Sequence, residues 1–283
     1  MPKGLREIRN RIKSVKSTGQ ITRAMQLVAS SKMKRAQDAA RAGRAYAELL
    51  GEILDTAQAK VGEFSHPLLT KRDVKVRGIL LVTPDKGMAG ALNGNLIRLA
   101  AEQKDAVFVC IGRKGAQALA RSGRKVLADF PVTDRAAFNE VRPAAEYLLK
   151  AFTEGTVDTV EVLFAHFKNT MVQSPRVQQL LPADSLVNQA REFRAKLGLP
   201  EPKVADDERD MIFEPSPAEI LNQLPALFFK QAVHQAVLES KASEFSARMV
   251  AMKAATDNAK KIGAALSLEY NKARQAAITQ EIL

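Results

Sequence analysis

The sequence predicts an α/β protein whose two ends pair as one long antiparallel coiled coil around a central α/β domain with a mostly parallel sheet. Three observations carry that prediction. Alternating steps of three and four from Leu5 reach Ile8, Ile12, Val15, Gly19, Thr22, Gln26, Ala29, Met33, Ala36, Ala40, Gly43, Ala47, Leu50, Leu54 and Ala57, of which only Thr22 and Gln26 are polar. The same walk from Leu221 passes Leu224, Phe228, Gln231, Gln235, Leu238, Ala242, Phe245, Met249, Met252, Thr256, Ala259, Gly263, Leu266, Tyr270, Ala273, Ala277 and Gln280. Heptad seams of this kind wind helices left-handedly around each other. Between the two seams, short apolar runs alternate with helical patterns, as in a parallel sheet covered on both faces. The divisions expected are 1–60 for the first rod helix, 75–214 for the α/β domain and 216–283 for the second rod helix.

The first helix should run from about Gly4 to Ala59, roughly 80 Å at 1.5 Å per residue. Its seam is rich in glycine and alanine, so the backbones approach closely but bury little apolar area per turn. A third body packed on the rod is therefore expected. In the middle segment, Gly78–Thr83, Ala106–Ile111, Lys125–Asp129, Thr159–Phe167 and Arg176–Leu181 read as strands. Helices are expected near 91–103, 115–121 and 135–152. The polar stretch 182–214, with acids at Asp206, Asp207, Glu208 and Asp210, reads as a long loop or hairpin. Ser216, Pro217 and Glu219 form a capping-box signal for the second rod helix. Pro225, one turn further on, is expected to bend or break that helix. The second helix is the longer, so its apolar tip, ending Ile278–Leu283, should overhang its partner and sit in an apolar surround.

Charge is unevenly placed. The chain carries a formal +12, and residues 1–44 hold twelve Lys or Arg against two Asp or Glu. Residues 240–283 hold seven bases against four acids, while the segment between is nearly balanced, with 24 bases and 25 acids. The positive field thus follows the rod. It suits a solvated helix face, a nucleic-acid surface or an acidic protein partner. No apolar run approaches the roughly 18 residues of a membrane span. A single cysteine, Cys110, excludes an internal disulfide and reads as a small core residue.

No catalytic constellation emerges. The glycines at 87, 90 and 94 follow the first strand, in a Rossmann-like position, but match neither a dinucleotide fingerprint nor a phosphate loop. No acid closes the second strand where a ribose would need one. His66, His166 and His234 are far apart in sequence and suggest no metal. Neither cofactor nor metal is expected.

Two stretches are distinctive: Ile21 to Met33, reading ITRAMQLVASSKM, and Ala247 to Ala259, reading ARMVAMKAATDNA, followed by YNKARQAAITQE from Tyr270 to Glu281. With Asp85–Asn93 and Gln179–Pro182 they closely resemble the gamma subunit of the rotary, F-type ATP synthase. The resemblance runs in order along essentially the whole chain. It implies a non-catalytic rotor: a shaft standing inside an alpha3-beta3 hexamer, its domain bound below to the epsilon subunit and the c ring. Rotation of the ring would then drive the nucleotide sites, which belong to beta.

Residue by residue, the resemblance places Arg274, Gln275 and Thr279 against a beta-subunit catch loop, Met25 near an acidic lever of beta, and Ile282 in the hexamer's apolar sleeve. It places Lys86, Phe213 and Glu214 at the foot near the c ring and epsilon. Lys86 stands where relatives commonly carry Arg, and lysine lacks the planar fork for a bidentate pair. With no presequence visible, the expected location is the cytoplasmic face of a bacterial plasma membrane, reached only through the complex. The alternative from charge alone is a basic coiled-coil nucleic-acid binder. Against it stand few aromatic residues and no recognisable reading motif, so no nucleic-acid partner is expected.

Overall fold

The computed structural model describes residues 3–61, 66–182, 214 and 216–282. Helix α1 (Lys3–Val61) and helix α5 (Pro217–Ile282) form the rod. Ser216 caps α5 as the sequence signal requires: its hydroxyl oxygen accepts the Glu219 N–H at 3.2 Å. The two helices run in opposite directions in a fixed register. Val15 faces Gly263, Gly19 faces Ala259, Thr22 faces Thr256 and Gly43 faces Gln235. Every predicted seam position on α1 whose side chain is described is buried or half-buried, and on α5 so is each named seam residue from Leu221 to Ala277.

The two seam threonines satisfy each other, whereas the Gln26 side-chain oxygen is buried without a partner among the described residues. Thr256 donates to the Met252 carbonyl at 2.8 Å, and its oxygen lies 2.8 Å from the Thr22 hydroxyl. Followed to its end, the register sets Leu5 opposite Ala273, so the last turns of α5 run past the start of α1. The overhang expected from unequal helix lengths is present. The break allowed for at Pro225 does not occur, because α5 continues through it. Leu221, Leu224 and Phe228 flank the proline and form a buried cluster with Leu50 of α1. Apolar packing around that turn outweighs the one backbone hydrogen bond that proline forfeits.

Between the rod helices lie β1 (Arg77–Val82), α2 (Leu92–Glu102), β2 (Ala106–Ile111), α3 (Arg113–Arg121), β3 (Val126–Phe130), α4 (Phe138–Thr153), β4 (Thr159–Phe167) and β5 (Gln173–Leu181). They build one sheet in the order β3-β2-β1-β4-β5, parallel except for the antiparallel edge strand β5. Helix α4 begins three residues later than its pattern suggests. Ala136 takes a left-handed φ of 47°, and Thr133 N–H bonds the Glu140 carboxylate at 3.0 Å, so a turn occupies that stretch. Of the predicted 182–214 loop, residues 183–213 with their acidic cluster lie outside the described residues.

Alternation along the strands assigns the faces. Ile79, Leu81, Phe108 and Cys110 point toward α2 and α3. Leu80, Val82, Val109 and Ile111 point the other way, toward Val141 and Phe152 of α4 and Phe229, Val233 and Val237 of α5. Helix α1 lies on the far side of α5. The middle of α5 is therefore enclosed by the sheet on one side and α1 on the other, and this is the third body the weak seam called for. Ser243 lies there, its hydroxyl donating to the Ala165 carbonyl at 2.8 Å.

Candidate partner-contact surface

Above the domain the rod stands free, and its surface is basic and apolar together. Arg6, Arg9, Lys13, Lys16 and Arg23 of α1 are exposed, as are Lys253, Lys260, Lys261, Lys272 and Arg274 of α5. Arg11 is tied to Glu7 at 2.8 Å, one turn away. Among these cations stand large exposed apolar side chains: Ile21 is 57% exposed, Val28 54% and Leu268 59%. Ile21 and Val28 are seven residues apart, so they share one stripe, next to half-buried Met25. A shallow groove of about 510 Å³ runs between the helices, floored by Gly19, Ala259 and Gly263 and rimmed by Lys16, Arg23 and Lys260. Small seam residues create it, since nothing fills the space a larger side chain would take.

Where the rod enters the domain, charges are buried. Lys241, Glu244 and Arg248 are each under a tenth exposed. Glu244 bonds Arg248 at 2.8 Å and lies 3.6 Å from Lys241. Arg248 also reaches the Gly87 carbonyl at 3.3 Å, and Lys32 of α1 pairs with Asp134 ahead of α4. Burial pushes the Asp134 carboxyl up, but Lys32, with Lys241 and Lys86 further off, outweighs burial and holds it below the usual carboxylate range. Rod and domain are thus pinned at two points. Through Arg248, α5 meets the loop that follows β1, beyond the carboxyl end of that strand. Cys110 is buried, and burial with Asp129 nearby pushes its thiol up to about 12.

The residues singled out in the sequence fall into separate zones. Arg274, Gln275 and Thr279 are exposed near the end of α5, the first two level with the first residues of α1 and Thr279 one turn beyond, bonded back to the Gln275 carbonyl at 3.0 Å. Ile282 is the last residue of α5. Met25 lies some 20 residues down the rod, roughly 30 Å away. Lys86 and Glu214 are not brought together. The Lys86 loop packs on Arg248, whereas Glu214 precedes α5, roughly 50 Å of helix away. Phe213 lies outside the described residues. Sequence reasoning missed the Ile21–Val28 stripe, although two off-seam apolar residues seven apart were a readable signal. It also missed the Lys241–Glu244–Arg248 cluster, whose spacing of three and four was visible but whose burial was not.

A family model described as ATP synthase matches residues 4–283. The ATP synthase gamma chain of Opitutus terrae is 53% identical over 279 residues, covering 98% of this chain and 95% of the relative. That of Akkermansia muciniphila is 44% identical over 283 residues, covering 99% and 96%. This chain belongs to the ATP synthase gamma-chain family. Among solved structures, the central stalk and c ring of Tetrahymena thermophila mitochondrial ATP synthase includes a chain 25% identical, with a TM-score of 0.59 over 83% of this chain and 99% of that one. A rotor chain of the Euglena gracilis enzyme, 17% identical, gives 0.67 over 98% and 100%, a likeness of fold. Gamma chains are non-catalytic central-stalk subunits, and the rotor reading of the sequence agrees with these matches. Nothing in them points to nucleic acid. Among the described residues, no helix is long and apolar enough to cross a membrane.

Proposed function

We propose that this chain is the shaft of a proton-translocating ATP synthase, seated in an alpha3-beta3 hexamer and carried on a c ring with epsilon. In this role the free part of the rod is the hexamer contact. Its cations meet acidic loops at the mouth, and the apolar side chains at its tip turn within an apolar sleeve that offers no strong polar pairs. Arg274, Gln275 and Thr279 supply the few directional contacts, and Met25 marks the level of the acidic lever. The observation that carries this reading is the free end of the rod, where those three polar side chains are exposed on the last turns of α5. The domain end, toward Glu214, faces the ring and epsilon, at the cytoplasmic side of a bacterial plasma membrane.

The test is Arg274→Ala with Gln275→Ala in the assembled complex. ATP turnover should fall at least about tenfold, because a charge-assisted contact of about 1.5–3 kcal/mol is lost and each 1.36 kcal/mol is a factor of ten. The thermal unfolding of the chain itself should not move, since both side chains are exposed and contact no core. Unchanged turnover in a fully assembled complex would remove the catch-loop role from these residues.

A further inference from the structure

We propose that a polar cavity at the joint of rod and domain binds a small oxyanion, phosphate or a phosphate monoester. The cavity, about 250 Å³, lies where α1, α5 and the β4–β5 side of the sheet converge. Arg41 comes from α1, Gln235 and Glu239 from α5, and His166 and Arg176 from the two strands. Three features of this lining suit a ligand.

The first is two guanidinium groups without counter-ions. Among the described residues neither Arg41 nor Arg176 forms an ion pair or hydrogen bond. Arginine's planar fork matches an oxyanion bidentately. The second is Gln235. It is only 7% exposed, and its Nε2 donates to the Ala40 carbonyl at 3.3 Å, which fixes the cavity wall between α1 and α5.

The third is the charge balance. Glu239 is the one carboxylate in the lining, and it is already engaged: its Oε1 accepts the Phe167 N–H at 3.1 Å and faces His166 Nδ1. The lining therefore keeps an excess of positive charge for an incoming anion. The volume is ample for phosphate or a three-carbon phosphate ester. An occupant would touch α1, α5 and the sheet at once and would tie the rod to the domain. The proposal is independent of the hexamer contact.

Titration calorimetry on the full chain tests it, with inorganic phosphate and glycerol 3-phosphate as separate probes against chloride at matched ionic strength. One saturable site per chain is expected, weakened at least tenfold in Arg41→Gln and in Arg176→Gln and unchanged in Arg121→Gln, which lies across the sheet on α3. Tighter binding of phosphate identifies the free ion, and tighter binding of the ester identifies the monoester. Arg41 is exposed, so its variant reads the site even where Arg176→Gln disturbs folding. No saturable binding of either probe would show a cavity that holds water alone and would overturn the proposal, as would equal affinity in the Arg41 and Arg176 variants.

Discussion

A disulfide placed across the rod reads its register directly. An ideal Cβ on Gly19 would lie 3.3 Å from the Ala259 Cβ. Disulfides need about 3.5–4.5 Å between Cβ atoms, so the helices must separate by only a few tenths of an ångström. Gly19→Cys with Ala259→Cys should therefore oxidise readily. The native Cys110 will not compete, because it is buried and its thiol is pushed up to about 12. Closing a loop of some 240 residues adds about 5 kcal/mol in the chain-entropy model, less whatever strain the short approach imposes. Peptide mapping should show the two rod segments linked in the oxidised chain, and its unfolding temperature should rise. In an assembled complex, turnover should stay unchanged, since α1 and α5 move as one body. A heptad slip would instead bring Leu266 opposite Gly19. Oxidation of Gly19→Cys with Leu266→Cys, and failure of the first pair, would refute the register and the packing argument with it.

Other expectations follow from the domain. Glu161→Ala leaves Arg77 without its carboxylate partner, now 2.8 Å from Nε, and should cost about 2 kcal/mol in urea unfolding. Cys110 should resist thiol reagents at pH 8 in the folded chain and react once the chain is unfolded; ready labelling of the native protein would contradict its burial. The Asp158 carboxylate accepts the Val76 and Lys75 N–H groups, and these bonds hold it below the ordinary aspartate range. A depressed folded-state value means stability that is present above about pH 4 and lost as pH falls through the folded value. Asp158→Asn should flatten that acid limb of the stability curve, and an unchanged limb would assign it to other carboxylates.

The rod was legible because its signal is periodic: a seam repeating every 3.5 residues survives the glycines and alanines that weaken each individual contact. The strands were legible because three of the five, β1, β2 and β4, are buried apolar runs; β1 and β3 shifted by one residue, and β5 begins three residues earlier than its pattern suggests. What escaped was decided by partners distant in sequence. Pro225 looked like a break because proline's local cost is visible and the Leu50–Leu221–Leu224–Phe228 cluster is not. The start of α4 was set by a side chain, Glu140, folding back on Thr133. Lys86 could be matched to a family position, but only three dimensions set its loop against Arg248, far up the rod from Glu214. Of the candidate contacts, the tip residues were named through the family resemblance, and they fall on consecutive turns of one helix. The Ile21–Val28 stripe was hidden by its neighbours in the seam.

The central claim is that this chain is a shaft that works inside a hexamer. Co-expression with alpha and beta subunits of the same source, followed by native mass spectrometry and an ATPase assay, tests it most directly. The account predicts one copy of this chain per alpha3-beta3 hexamer and turnover that depends on its presence. A hexamer that assembles and turns over competently without the chain, and does not take it up when it is supplied, would contradict the account.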